Sequence, residues 1–188
     1  MTLDSSLYII CSGFHSSYLT MNFYHYLTTI INDINQDNTI LVHFDRTFSN
    51  NRISPYDGYK LYQYLEKTYN KFSLKNLTFI AFSAGVIGAI IAGHLWEKNG
   101  GKVDKLLAFD GWGVPLIANF PCYRISHDYI THLSYLGGEK NAFYCSPEVS
   151  HLQLWQNPQN LKGWWHKELG IKTKSDLSEF LVYCLGGL

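Results

Sequence analysis

The segment from Asn76 to His94 constrains the fold more than any other part of this sequence. Residues 77 to 82 form a short apolar run with β-branched and aromatic members, which predicts a buried strand. Residues 84 to 96 are small and apolar over a length that suits a buried helix. Ser83 stands between them, so the chain has to turn sharply from strand to helix at a serine.

The residues around Ser83 match a known catalytic pattern. Ala81-Phe82-Ser83-Ala84-Gly85 fits the G-x-S-x-G nucleophile elbow, with alanine in place of the first glycine. Small flanking residues are needed there because the serine backbone is strained, and a larger side chain would collide with neighbouring backbone. The same Ser-Ala-Gly sequence also occurs as an ordinary tight turn, so this motif leaves both interpretations open.

Apolar runs alternate with helical stretches along the rest of the chain. Strands are predicted at residues 7–11, 38–45, 77–82, 105–110, 123–126 and 142–146. Helices are predicted at about 18–31, 56–69, 84–96 and 175–185, the last with Ser175 as its N-cap. This alternation predicts an α/β fold: a doubly wound, mostly parallel sheet of about six strands with helices on both faces. No linker or repeat interrupts it, so we expect one domain over residues 1–188.

The composition excludes several classes of function. The 15 acidic and 15 basic residues balance to zero net charge, which gives no electrostatic case for binding nucleic acid. The longest apolar run, residues 86 to 93, is too short for a membrane span, and no signal peptide is visible. The four cysteines are widely spaced, which favours reduced, buried thiols and a cytoplasmic location. No feature of the sequence specifies an oligomeric state.

Four segments, in this order along the chain, resemble landmarks of the α/β-hydrolase family. They are the strand and glycine loop at 10–15, the strand and acidic turn at 42–46, the elbow at 81–85, and the loops at 126–128 and 147–152. The order Ser, Asp, His is also that of the family. Their order and spacing favour the elbow interpretation of Ser83 over the ordinary turn.

The resemblance implies a role for each candidate residue. Ser83 would be the nucleophile and His151 the general base, because a serine hydroxyl needs a base within hydrogen-bond reach. Asp128 is the preferred acid to orient the imidazole, and Asp110, at the end of the preceding strand, is the alternative. The backbone amides of Phe14 and Ala84 would form the oxyanion hole.

The remaining candidates concern substrate binding and the other histidines. Gly13, His15 and Trp112 are the predicted substrate-binding residues, with Phe14 as a further pocket wall. His127 and His132 are interpreted as surface or supporting residues. No zinc-ligand spacing and no nucleotide-binding glycine motif occurs, so no metal or organic cofactor is expected.

These residues predict a serine hydrolase that cleaves a small-molecule carboxylic ester or an acyl-thioester through an acyl-enzyme. The chain departs from the family in lacking two edge strands and a lid. Its acid loop, at residues 126–128, is one residue shorter than is usual in the family. These departures keep open an alternative, a binding or interaction protein that has the fold without the activity.

Overall fold

The protein is described by a computed structural model that covers residues 6–43, 47–48, 51–69, 76–134, 141–167 and 170–186. Within these ranges the chain forms ten strands, six α-helices and one 3₁₀ turn. Asp45, the acid at the end of the second predicted strand, lies outside the described residues.

The strands and helices come in the alternating order that the sequence predicts, with some additions. The strands are β1 Ser6–Cys11, β2 Thr39–Val42, β3 Thr47–Phe48, β4 Asn51–Arg52, β5 Asn76–Phe82, β6 Val103–Phe109, β7 Cys122–Ser126, β8 Asn141–Cys145, β9 Lys162–His166 and β10 Lys172–Asp176. The helices are α1 Ser17–Ile30, α2 Gly58–Thr68, α3 Gly85–Lys98, α4 Tyr129–Leu133, α5 Gln153–Gln156 and α6 Leu177–Leu185, with the 3₁₀ turn at Pro158–Asn160.

One mixed sheet of eight strands replaces the predicted sheet of about six. Its order is β10-β9-β8-β7-β6-β5-β1-β2, while β3 and β4 form a separate hairpin. Six neighbouring strands of this sheet, β2, β1, β5, β6, β7 and β8, are parallel to one another. They match the six predicted runs. The prediction missed β9 and β10, which pair antiparallel beyond β8.

Strands β9 and β10 have compositions that do not show the pattern of a buried strand. In β9, Lys-Gly-Trp-Trp-His interrupts the apolar run with a glycine and two charged or polar ends. In β10, Lys-Thr-Lys-Ser-Asp carries no apolar residue, because this edge strand is largely exposed. The cap of α6 is also corrected: Asp176, rather than Ser175, accepts the Glu179 amide at 2.8 Å.

Helices cover both faces of the sheet, as predicted. On one face α2 and α3 pack against strand residues such as Ile9 and Phe79, and on the other α1 and α6 pack against Ile10 and Ile80. Successive strand residues thus enter opposite cores, which explains why the parallel strands are apolar without alternation. All four cysteines are buried, and none of them is in a disulfide bond. No helix within the described ranges has the length and apolar character needed to cross a bilayer.

The parallel register brings several strand ends to one edge. Phe82 at the end of β5 pairs with Phe109 at the end of β6, and Phe109 pairs with Ile125 near the end of β7. The residues that follow these strands, Ser83, Asp110 and His127, therefore emerge side by side.

The short helix α4 is held against β8 and β9 by aromatic and histidine rings. The ring of His132 lies 5.0 Å from that of Tyr144 and 4.6 Å from that of His166, and only 3% of His132 is exposed. This burial contradicts the surface interpretation of His132. Burial, followed by the nearby charges of His166, Arg124 and Lys172, lowers the pKa of His132 to about 4.

We predict that His132 makes the protein less stable in acid. Because its pKa is lower in the folded than in the unfolded chain, the unfolded chain binds the extra proton below about pH 6.5, and stability falls as the pH drops toward 4. Between pH 7 and pH 5 this residue should cost about 1–2 kcal/mol of unfolding free energy. Urea unfolding at both pH values should show that the loss is smaller in His132→Phe. An equal pH dependence in the two proteins would contradict the prediction.

Candidate functional site

Ser83 occupies a strained corner between β5 and α3. Its φ is 54°, the left-handed region that a residue with a side chain rarely adopts. The corner is held on both sides: the Ser83 amide donates to Phe109 O at 2.8 Å, and Ser83 O accepts from the Val86 amide at 3.1 Å. A Cβ on Gly85 would lie 2.6 Å from Ser12 O, so the small flank has the steric cause that the sequence predicts.

The loop after β1 lies directly against this serine. A Cβ added to Gly13 would approach the Ser83 Cβ to 2.9 Å and Phe82 O to 3.1 Å. The imidazole of His15, two residues on, meets the Phe82 ring edge-on at 5.4 Å between centroids. Gly13 and His15 thus lie beside the serine corner, where substrate-binding residues were expected.

Asp110 is the buried carboxylate of the site. It follows β6 with a φ of 50°, a left-handed turn that aspartate tolerates better than most residues. Its amide donates to Ile125 O at 2.8 Å, which extends the sheet by one bond beyond the strand. The side chain is 1% exposed, so the charge depends on hydrogen-bond donors for its stability.

His151 reaches this carboxylate from the segment after β8. Its Nδ1 lies 2.8 Å from Asp110 Oδ2, and its ring stacks on Phe82 at 4.6 Å between centroids. Phe82 is the residue immediately before Ser83, so the imidazole is packed next to the serine corner. The side chain of His151 is 43% exposed, which leaves part of the ring open to solvent.

The structure corrects the preferred partner of His151 from Asp128 to Asp110. Asp128 begins α4 instead, where its Oδ1 accepts the Thr131 amide at 2.6 Å. Burial acts to raise the pKa of Asp128, but the hydrogen bonds from Thr131 hold it below its ordinary value. Loop position along the chain favoured Asp128, whereas the left-handed turn at Asp110 projects that side chain to the shared sheet edge.

His127 is a third member of the cluster, where it is a supporting residue and not a surface one, the two interpretations that the sequence left open. Its ring Nδ1 lies 2.9 Å from Asp110 Oδ2, and its backbone amide donates to Asp110 Oδ1 at 2.8 Å. The hydrogen bond to Asp110 raises the pKa of His127 above its ordinary value, although burial acts in the opposite direction. Its position directly after β7, the strand next to β6, is the sequence signal that could have found it.

Two imidazoles and a carboxylate are donor types that can hold a divalent metal. Among the described residues, Asp110, His127 and His151 are the one group that offers such a ligand set, and their ligand atoms lie within 4.8 Å of one another. Here, however, both Nδ1 atoms point at the same oxygen at hydrogen-bond distance, which requires a proton on each nitrogen. We therefore interpret the group as a hydrogen-bonded cluster.

Exposed aromatic side chains are found on the loops at this edge. Phe14 is 54% exposed and its ring lies 5.7 Å from that of Tyr56, while Trp112 is 72% exposed. Ala84 lies at the N-terminal end of α3, where backbone amides have no partner within the helix. These positions suit the expected roles of Phe14 and Trp112 as apolar surface and of the Ala84 amide as an oxyanion donor.

No protein-family model matches this chain, and no match to it was found among curated proteins.

We predict that Gly13→Ala destabilises the protein through the contact with Ser83. The new Cβ would force two backbone segments apart, a cost of about 1–3 kcal/mol in unfolding free energy. Urea unfolding checks this, with Gln36→Ala in an exposed turn as the control that should change little. A more stable Gly13→Ala protein would show that the loop does not approach the serine so closely.

Proposed function

We propose that this protein is a serine hydrolase that cleaves a carboxylic ester or an acyl-thioester through an acyl-enzyme. Ser83 is the nucleophile, His151 the general base, and Asp110 the acid that orients the imidazole. The proposal requires no metal or organic cofactor.

The observation that carries the proposal is the strained serine next to an oriented imidazole. A left-handed serine between a strand and a helix costs free energy, and such strain is found where a side chain must be presented for function. An ordinary tight turn would explain the corner but not the hydrogen bond between the buried Asp110 carboxylate and His151 beside it. The nucleophile and the base–acid pair are the parts that acyl transfer needs.

The proposed reaction follows from the proton positions. The Asp110 carboxylate accepts a hydrogen bond from His151 Nδ1–H, so Nε2 of the neutral ring is free to act as a base. Nε2 takes the hydroxyl proton of Ser83 as its oxygen attacks the carbonyl carbon, and the proton then passes to the leaving alcohol or thiol. Water attacks the acyl-serine in the same way, which releases the carboxylic acid and restores the serine.

The amides of Phe14 and Ala84 would hold the negative oxygen that forms at each attack. Gly13 supports this because the absence of a side chain lets the Phe14 loop approach Ser83. Removing one donor of an oxyanion hole typically costs about a hundredfold to a thousandfold in turnover. The exposed rings of Phe14, Tyr56 and Trp112 favour an apolar acyl or aryl group on the substrate.

We predict that an alkyl fluorophosphonate labels the protein at Ser83. The serine oxygen would displace fluoride from phosphorus, which gives a covalent adduct detectable by intact mass and peptide mapping. Ser83→Ala should abolish labelling, and Ser16→Ala, on a neighbouring loop, should retain it. Labelling should be unchanged in EDTA. A folded wild-type protein that never labels would instead favour the alternative, a binding protein without activity.

We also predict that the two aspartates differ sharply in their effect on labelling. Asp110→Asn should slow acylation by about a thousandfold to ten-thousandfold, because the imidazole loses its orienting charge. Asp128→Asn should stay within about threefold of wild type, because asparagine is also a good N-cap. Labelling rates with the same probe, with circular dichroism to confirm folding, measure both. The reverse ranking would return the role to Asp128.

A further inference from the structure

We propose that His127 is a positioning residue, which holds the Asp110 carboxylate in place and shares its Oδ2 with His151. This inference rests on the proposed function, since it describes how the acid of that reaction is held. His127 is not itself placed at the reacting atoms.

The carboxylate of Asp110 is fixed by three donors, and two of them belong to His127. The His127 amide donates to Oδ1 at 2.8 Å and its ring Nδ1 to Oδ2 at 2.9 Å. Since one residue thus holds both oxygens, the carboxylate cannot rotate without breaking one of these bonds. The third donor, His151 Nδ1, meets Oδ2 in the orientation that this clamp sets.

Sharing Oδ2 also couples the position of His127 to that of His151. One carboxylate oxygen can accept two hydrogen bonds, and the two donors share its lone pairs. The two ring centroids are 6.0 Å apart, so a shift of the Asp110 carboxylate would displace both rings together.

The charged and titratable groups that face His127 come from three places. Asp110 follows β6, and Asp128, with Oδ2 3.7 Å from His127 Nε2, begins α4. Glu148 and His151 lie in the segment after β8, and Glu148 acts on His127 only through its charge. The Thr131 hydroxyl lies 3.5 Å from His127 Nδ1. With three carboxylates around it, His127 can carry a proton that offsets the buried charge of Asp110.

Two substitutions test the clamp. His127→Phe keeps a ring but loses the Nδ1 donor, whereas His127→Asn keeps a neutral donor near the same place. We expect the Phe variant to lower kcat by about tenfold to a hundredfold with little change in KM. We expect the Asn variant to stay within about threefold of wild type in kcat. His25→Asn, at an exposed position on α1, is the matched control.

Rescue by the Asn variant distinguishes this role from a merely structural one. Both kcat and KM are measured with p-nitrophenyl acetate, and the stability of each variant by urea unfolding. A structural role would lower kcat in both variants in step with their loss of stability. An unchanged kcat in the Phe variant, or an Asn variant as slow as the Phe variant, would overturn the proposal.

A measurement on the wild-type protein tests the shared oxygen without any variant and without activity. Nitrogen-15 NMR of the imidazoles above pH 8 should show both His127 and His151 protonated at Nδ1. If His127 carries its proton on Nε2, the sharing does not occur and the proposal fails. If the tautomers are as expected but no fluorophosphonate labels Ser83, the proposed function fails and the shared carboxylate stands.

Discussion

The buried carboxylate of Asp110 is the interaction on which the arrangement of this site depends. A charge that is 1% exposed is stable only where donors replace the water it has lost, and three N–H groups do so here. These donors come from the segments after β7 and β8, so the carboxylate ties together the ends of three neighbouring strands. The geometry of His151 and His127 follows from this requirement.

The parallel sheet makes that convergence possible. Because β5, β6 and β7 are adjacent and parallel, the residues after them leave the sheet at the same edge. The left-handed φ values of Ser83 and Asp110 then turn the chain away sharply. Two strained residues on neighbouring strands are unusual in a part of the molecule that is otherwise regularly paired, which supports a functional reason for them.

Much of the fold could be predicted because burial on both faces leaves a plain signal. Most residues of each of the six parallel strands are apolar, and the run before Ser83 together with the small residues after it specifies the corner. Strands β9 and β10 could not be found this way. The exposed edge strand β10 has no apolar residue, and β9, which lies between β8 and β10, is only partly buried and carries polar ends and a glycine. The burial of His132 could not be predicted either, because it depends on the rings of Tyr144 in β8 and His166 in β9.

The sequence by itself determined the α/β alternation, the serine at its corner and the set of acids and histidines that follow strand ends. It favoured Asp128 over Asp110 on loop position alone, and that preference is wrong, because both residues follow a strand and loop position does not set the direction of a side chain. Only the tertiary structure decided this: Asp128 is used to begin α4, while the backbone turn at Asp110 directs its carboxylate to His151 and His127. Side-chain direction depends on local φ and on packing across strands, and neither is encoded in spacing along the chain.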